Sequence, residues 1–192
     1  MCSNAAVEAS DRELVERLAG GEREALAPLM QRHYRRVYRI ALAYLRNPDD
    51  ALDVVQETFV KAFQHAHRRN PAAEVLPWLT RIAINQSIDR YRRDRRRQQT
   101  LEPLAEGDHD LRLSDGEASP EDQARGQQLR ARLDRALRTL PDRQRAVFVL
   151  RHYEERSLEE IAQLLGVRLG TVKSSLHRAT HELRRRLQGV LA

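Results

Sequence analysis

Apolar positions recur along most of the chain at intervals of three and four, the repeat of helices that bury one face. Leu14, Val15 and Leu18 form the first stripe, with Ser10 or Asp11 as its cap and Gly20-Gly21 as its stop. From about Glu22 to Leu45, Leu26, Leu29, Met30, Tyr34, Val37, Tyr38, Ala41 and Leu45 predict a longer helix, with Pro28 confined to its first turns. Asn47-Pro48 reads as a cap followed by a residue suited to the first helical position, so a third helix opens at Pro48 and turns Leu52, Val55, Phe59, Ala62, Phe63 and Ala66 inward. The stretch 65–76 breaks the pattern as a loop, with Asn70-Pro71 as its turn. A fourth helix over 77–97 then faces Trp78, Leu79, Ile82, Ala83 and Ile88 inward.

Residues 98–122 reverse the character of the chain. They hold Glu102, Glu106, Asp108, Asp110, Asp115, Glu117, Glu121 and Asp122 against Arg112 alone, with two glycines and two prolines. Such a segment cannot bury enough apolar surface to offset the entropy of ordering. Helical spacing resumes with Leu129, Leu133, Ala136 and Leu137, then with Val147, Phe148 and Leu150. Strand-like alternation is nowhere sustained. The expected fold is all-α: two small helical domains, 10–97 and 123–192, joined by a flexible acidic linker over 98–122.

The last stretch, Ser157 to Leu187, carries the most specific pattern. Ser157 and Glu160 form a capping box, and Leu158, Ile161, Ala162 and Leu165 lie on one side of the helix they open. Gly166 suits an abrupt reversal, Val167 plugs the corner, and Val172, Leu176, Ala179 and Leu183 are the inner face of a longer helix. The opposite face shows Gly170, Thr171, Lys173, Ser174, His177 and Arg178. Short polar and cationic groups at a helix N-terminus reach base edges and phosphates when the helix enters a major groove. A helical hairpin with a solvated basic face shares each feature singly; their arrival together at helix-turn-helix spacing predicts DNA binding.

The charge distribution agrees with a polyanionic partner. The chain has a net charge of +6 and a pI near 10.1, and its cations cluster. Residues 77–97 contain seven arginines and two aspartates, and residues 140–187 contain ten basic and six acidic groups. Clustering matters because dispersed charge is only a solvated surface. Cys2 is the one cysteine, which excludes an internal disulfide and a cysteine-based zinc site. His177 and His181 share a helix face without a third ligand, so no metal or cofactor is expected. The absence of an apolar run of about eighteen residues excludes direct membrane insertion by a helix. With no secretory signal at the N-terminus, the expected location is the cytoplasm. No nucleophile and base set suggests an enzyme.

The third helix also carries a second row, Asp53, Gln56, Glu57 and Val60, that no core requires. Spacing alone leaves it open between a solvated acidic face and a docking surface for a partner helix.

Three stretches together, 49–63 (DDALDVVQETFVKAF), 78–93 (WLTRIAINQSIDRYRR) and 140–187, resemble bacterial RNA polymerase sigma factors of the extracytoplasmic-function class. The resemblance implies domains conventionally called sigma-2 and sigma-4 with no domain between them. It implies core RNA polymerase as partner, through its beta-prime coiled coil and beta flap, together with promoter DNA and an anti-sigma factor. Polymerase binding then falls to Asp53, Val54, Val55, Gln56 and Glu57. The minus-ten element falls to Asn85, Asp89, Arg92 and Arg93, with the loop 65–76 capturing an unstacked base. The minus-thirty-five element falls to Arg168, Gly170, Thr171, Lys173, Ser174, His177 and Arg178. Ser175 and Thr180 stand where the family commonly has arginine, which shifts the expected phosphate grip towards Arg184, Arg185 and Arg186. The expected function is promoter recognition and melting in response to an envelope or other stress. A dimeric helix-turn-helix regulator reading a palindrome is the alternative.

Overall fold

The computed structural model describes residues 9–70, 73–100 and 120–188. Four helices make the first domain: α1 (Asp11–Ala19), α2 (Leu26–Leu45), α3 (Pro48–His65) and α4 (Val75–Thr100). Four make the second: α5 (Pro120–Arg138), α6 (Asp142–His152), α7 (Leu158–Leu165) and α8 (Leu169–Leu187). No strand occurs among the described residues.

Local chemistry sets the helix ends. Ser10 and Glu13 close a capping box at α1, the Glu13 carboxylate accepting from the Ser10 N–H at 2.6 Å. The Asn47 side chain accepts from the amides of Asp49 and Asp50, and Pro48 fills the first position of α3. Two expected boundaries move. Helix α4 starts at Val75, with Pro77 inside its first turn, and runs on to Thr100 through residues that favour helix. Helix α5 opens at Pro120, whose fixed φ suits a first turn. The ends of the expected linker are therefore helical, and its centre, 101–119, lies outside the described residues.

Leu14, Leu29, Ile40, Tyr44, Phe59 and Leu79 centre the first core. On helix α3 the expected Val55, Phe59 and Ala62 are buried, joined by Ala51, Val54 and Thr58, while the expected Leu52 is 40% exposed. In the second domain, Leu137, Leu140, Ala179 and Leu183 join α5 to α8. Val147, Leu150, Ile161, Leu164 and Val172 join α6 to the helix-turn-helix.

The domains touch. Ala146 and Val149 of α6 belong to the first domain's core cluster, with Tyr153 and Leu165 packed against it. Arg145, fully buried, donates to the carbonyls of Leu137 (2.9 Å) and Arg138 (2.6 Å), closing the end of α5. Its guanidinium also lies 3.8 Å from the Tyr91 ring centroid and 5.1 Å from that of Tyr44, both in the first domain.

Candidate functional site

Helices α3 and α4 border one groove. Asp53, Gln56, Glu57, Val60, Lys61 and Gln64 line it from α3, and Gln86, Asp89, Arg92, Arg93 and Arg96 from α4. The acidic row and the basic helix, read separately from the sequence, are thus walls of a single surface. Arg90 links them, pairing with Asp50 at 2.6 Å, Asp53 at 2.9 Å and Asp94 at 3.2 Å. Partial burial works against its charge, but these carboxylates, Asp50 above all, outweigh burial and raise its pKa. Arg93 adds a looser pair to Glu57 at 3.6 Å. The sequence offered no sign of Arg90's role across the groove, because two of its three partners, Asp50 and Asp53, lie about forty residues away on another helix.

Two of the residues assigned to polymerase binding are not on this surface. Val54 and Val55 are each 1% exposed and belong to the core, since α3 packs against both α2 and α4 and turns a wide face inward. Val60, 52% exposed, is the apolar group available on the groove. Trp78 is half-buried under the Arg69 guanidinium at 5.7 Å, which ties the segment before α4 to the helix itself.

The helix-turn-helix forms as its sequence signals require. The Glu160 carboxylate accepts from the Ser157 N–H at 2.7 Å, and Gly166 ends α7 in the left-handed region at φ 63°. On α8, Gly170, Lys173, Ser174, His177 and Arg178 are exposed, with Arg168 exposed just before and Thr171 half-exposed. The side chains of Arg168, Lys173, His177 and Arg178 have no hydrogen-bond or ion-pair partner among the described residues. Gly170 is not required by the fold: a Cβ there meets nothing within 4 Å. Ser175 is buried at 7% exposure, so a long cation there would point into the domain and not at phosphate. Arg185 and Arg186 are both held by Glu182, at 2.7 and 2.6 Å, and their hydrogen bonds pull its carboxyl down to about 2. Beside them, the Arg184 guanidinium has no partner among the described residues.

Asn85, Asp89 and Arg92 also line a cleft at the domain junction, facing Asp142, Arg143, Ala146, Leu165 and Val167. Arg92 donates to Asp142 at 2.7 Å, and this contact raises the pKa of its guanidinium. No group of three or more His, Cys, Asp or Glu residues able to hold a metal occurs among the described residues. No helix among them is long and apolar enough to cross a membrane.

The two domains coincide with two family matches: residues 29–97 match sigma-70 region 2, and residues 130–182 match sigma-70 region 4. The ECF RNA polymerase sigma factor SigW of Bacillus subtilis is 30% identical over 91% of this chain and 95% of its own length. This chain belongs to the ECF sigma factors of the sigma-70 family. SigM of Mycobacterium tuberculosis, also an ECF RNA polymerase sigma factor, is 34% identical over 94% of this chain and 86% of its own. The solved structure of CnrH, in complex with the cytosolic domain of CnrY, superposes with a TM-score of 0.65 at 26% identity, covering 94% of this chain and 99% of that one. An ECF sigma factor acts in transcription initiation, with core RNA polymerase and promoter DNA as its partners.

Proposed function

We propose that the groove between α3 and α4 divides its two walls between polymerase and DNA, and that α8 reads a second DNA element from the other domain. Asp53, Gln56, Glu57 and Val60 offer a partner helix hydrogen-bonding groups around one exposed apolar residue. Asn85, Asp89, Arg92 and Arg93 offer cations and polar groups to the minus-ten element. Arg168, Gly170, Thr171, Lys173, Ser174, His177 and Arg178 enter the major groove at the minus-thirty-five element.

The observation that carries this reading is the set of cations on the leading face of α8 that have no partner among the described residues, on a helix whose inner face is committed to the core. Lys173, Arg178 and Arg168 gain nothing within the fold from their charge. Phosphate supplies the missing anion.

The chain is then a non-catalytic cytoplasmic subunit, released by stress from an anti-sigma factor that covers its polymerase-docking faces. The test is capture of purified core polymerase by the intact chain and by Gln56→Ala. Weaker capture by the variant, with unchanged thermal unfolding, supports docking through the groove. Equal capture at normal affinity contradicts it.

A further inference from the structure

Helix α4 buries two polar side chains in succession, and they differ in how they are satisfied. Ser87 is fully buried, and its hydroxyl donates to the Ala83 carbonyl at 2.8 Å. Gln86 is only 5% exposed, yet its amide has no hydrogen-bond partner among the described residues. It lines the groove between α3 and α4. An amide carries an acceptor and two donors, and a recessed group of this kind is seldom left without something to bind.

The surroundings of Gln86 suit a nucleotide. Lys61 and Gln64 are the last α3 residues on the groove, and Gln86 is the first from α4. Lys61 breaks the acidic row: Asp53 and Glu57 are tied to Arg90 and Arg93, whereas Lys61 has no partner among the described residues. This end of the groove therefore offers one uncommitted cation and two amides, one of them recessed. A partner helix is about 10–12 Å across with its backbone groups already bonded, so it would rest on the exposed Gln56 and Val60 instead. A nucleobase is thin, and once out of the stack it presents a hydrogen-bonding edge.

We infer that Gln86 is a base-reading residue of the groove, its amide paired with an unstacked adenine of the minus-ten strand while Lys61 holds a phosphate of the same strand. Adenine is the base whose N6 donor and N7 acceptor match a glutamine amide in a bidentate pair. This rests on the proposed role of the α4 wall towards DNA and names the residue that gives that wall a base preference.

The test is fluorescence anisotropy of the full chain with dye-labelled twelve-nucleotide thymidine strands. Each carries one central adenine, 7-deazaadenine, cytosine, guanine or abasic site. The adenine strand binds about tenfold more tightly than the others, within the worth of one bidentate base contact. Gln86→Leu, close in size, removes that preference and leaves affinity for the abasic strand unchanged, whereas a merely structural defect would lower both. Should that variant fold poorly, the 7-deaza strand, which lacks the N7 acceptor, makes the same test on the wild-type chain. Lys61→Ala weakens every strand alike and makes the slope of log affinity against log salt shallower by about 0.7. An adenine preference retained in Gln86→Leu, or equal affinity for the adenine and 7-deaza strands, would overturn the inference. So would weaker polymerase capture by Gln86→Leu with its base preference intact, which assigns the amide to the partner helix. Arg92→Ala with Arg93→Ala separates the two levels. If that variant loses strand binding while Gln86→Leu keeps the preference, base reading by Gln86 falls and the DNA wall stands; if the wild-type chain binds no strand, both fall.

Discussion

Asp53 on α3 and Arg90 on α4 are joined by an ion pair of 2.9 Å between the two helices that border the groove. The Asp53 side chain is about half exposed, so the pair restrains the wall without committing the carboxylate to the interior.

From this follows the first prediction. Asp53→Ala leaves Arg90 held by Asp50 and Asp94 and lowers stability by less than about 1 kcal/mol in a urea titration. Affinity for core polymerase falls by about tenfold in the same preparation, as for an interface residue of moderate importance. A large stability loss with normal affinity would assign the residue to the fold.

Two glycines in the helix-turn-helix separate fold from function. Gly166→Ala places a side chain at φ 63° and costs about 1–2 kcal/mol of stability. Gly170→Ala meets nothing within 4 Å and leaves thermal unfolding unchanged or slightly raised, since alanine is the better helix former. Its expected loss is in affinity for the minus-thirty-five element, measured by fluorescence anisotropy, because the added Cβ separates backbone from duplex.

Lys173→Ala removes an exposed cation with no partner among the described residues. Promoter affinity falls, and the slope of log affinity against log salt becomes shallower by about 0.9, the contribution of one phosphate contact. An unchanged slope in the salt titration contradicts that contact.

Arg145→Met keeps much of the side-chain volume but removes the guanidinium donors to the Leu137 and Arg138 carbonyls, leaving them the Leu140 N–H and the Tyr91 hydroxyl. Expected destabilisation is about 1.5–3 kcal/mol, read from denaturant unfolding, as for loss of hydrogen bonds from a charged donor.

The helix-turn-helix was legible because its signals are local. The Ser157–Glu160 cap and the Gly166 reversal each depend on residues within one turn. On α3 the spacing places Val55, Phe59, Ala62 and Ala66 correctly in the core and misplaces only Leu52, because the buried face also takes in small residues. Ala51 and Thr58 are fully buried, and the Thr58 hydroxyl donates to the Val54 carbonyl at 2.7 Å, whereas the larger Leu52 faces outward. Glu154 and Arg145 carried no signal at all. Charged residues are ordinarily exposed, and the burial of Glu154 depends on arginines 115 and 118 positions away in the chain. Arg90 was hidden within a basic run for the same reason.

Run-off transcription with purified core polymerase on a pool of promoter fragments, with and without this chain, tests the promoter role most directly. The predicted result is a set of transcripts that appear only when the chain is present, from start sites preceded by two unlike sequence elements. Identical transcripts with the chain left out, or protection of a palindromic site by the chain in the absence of polymerase, would contradict it.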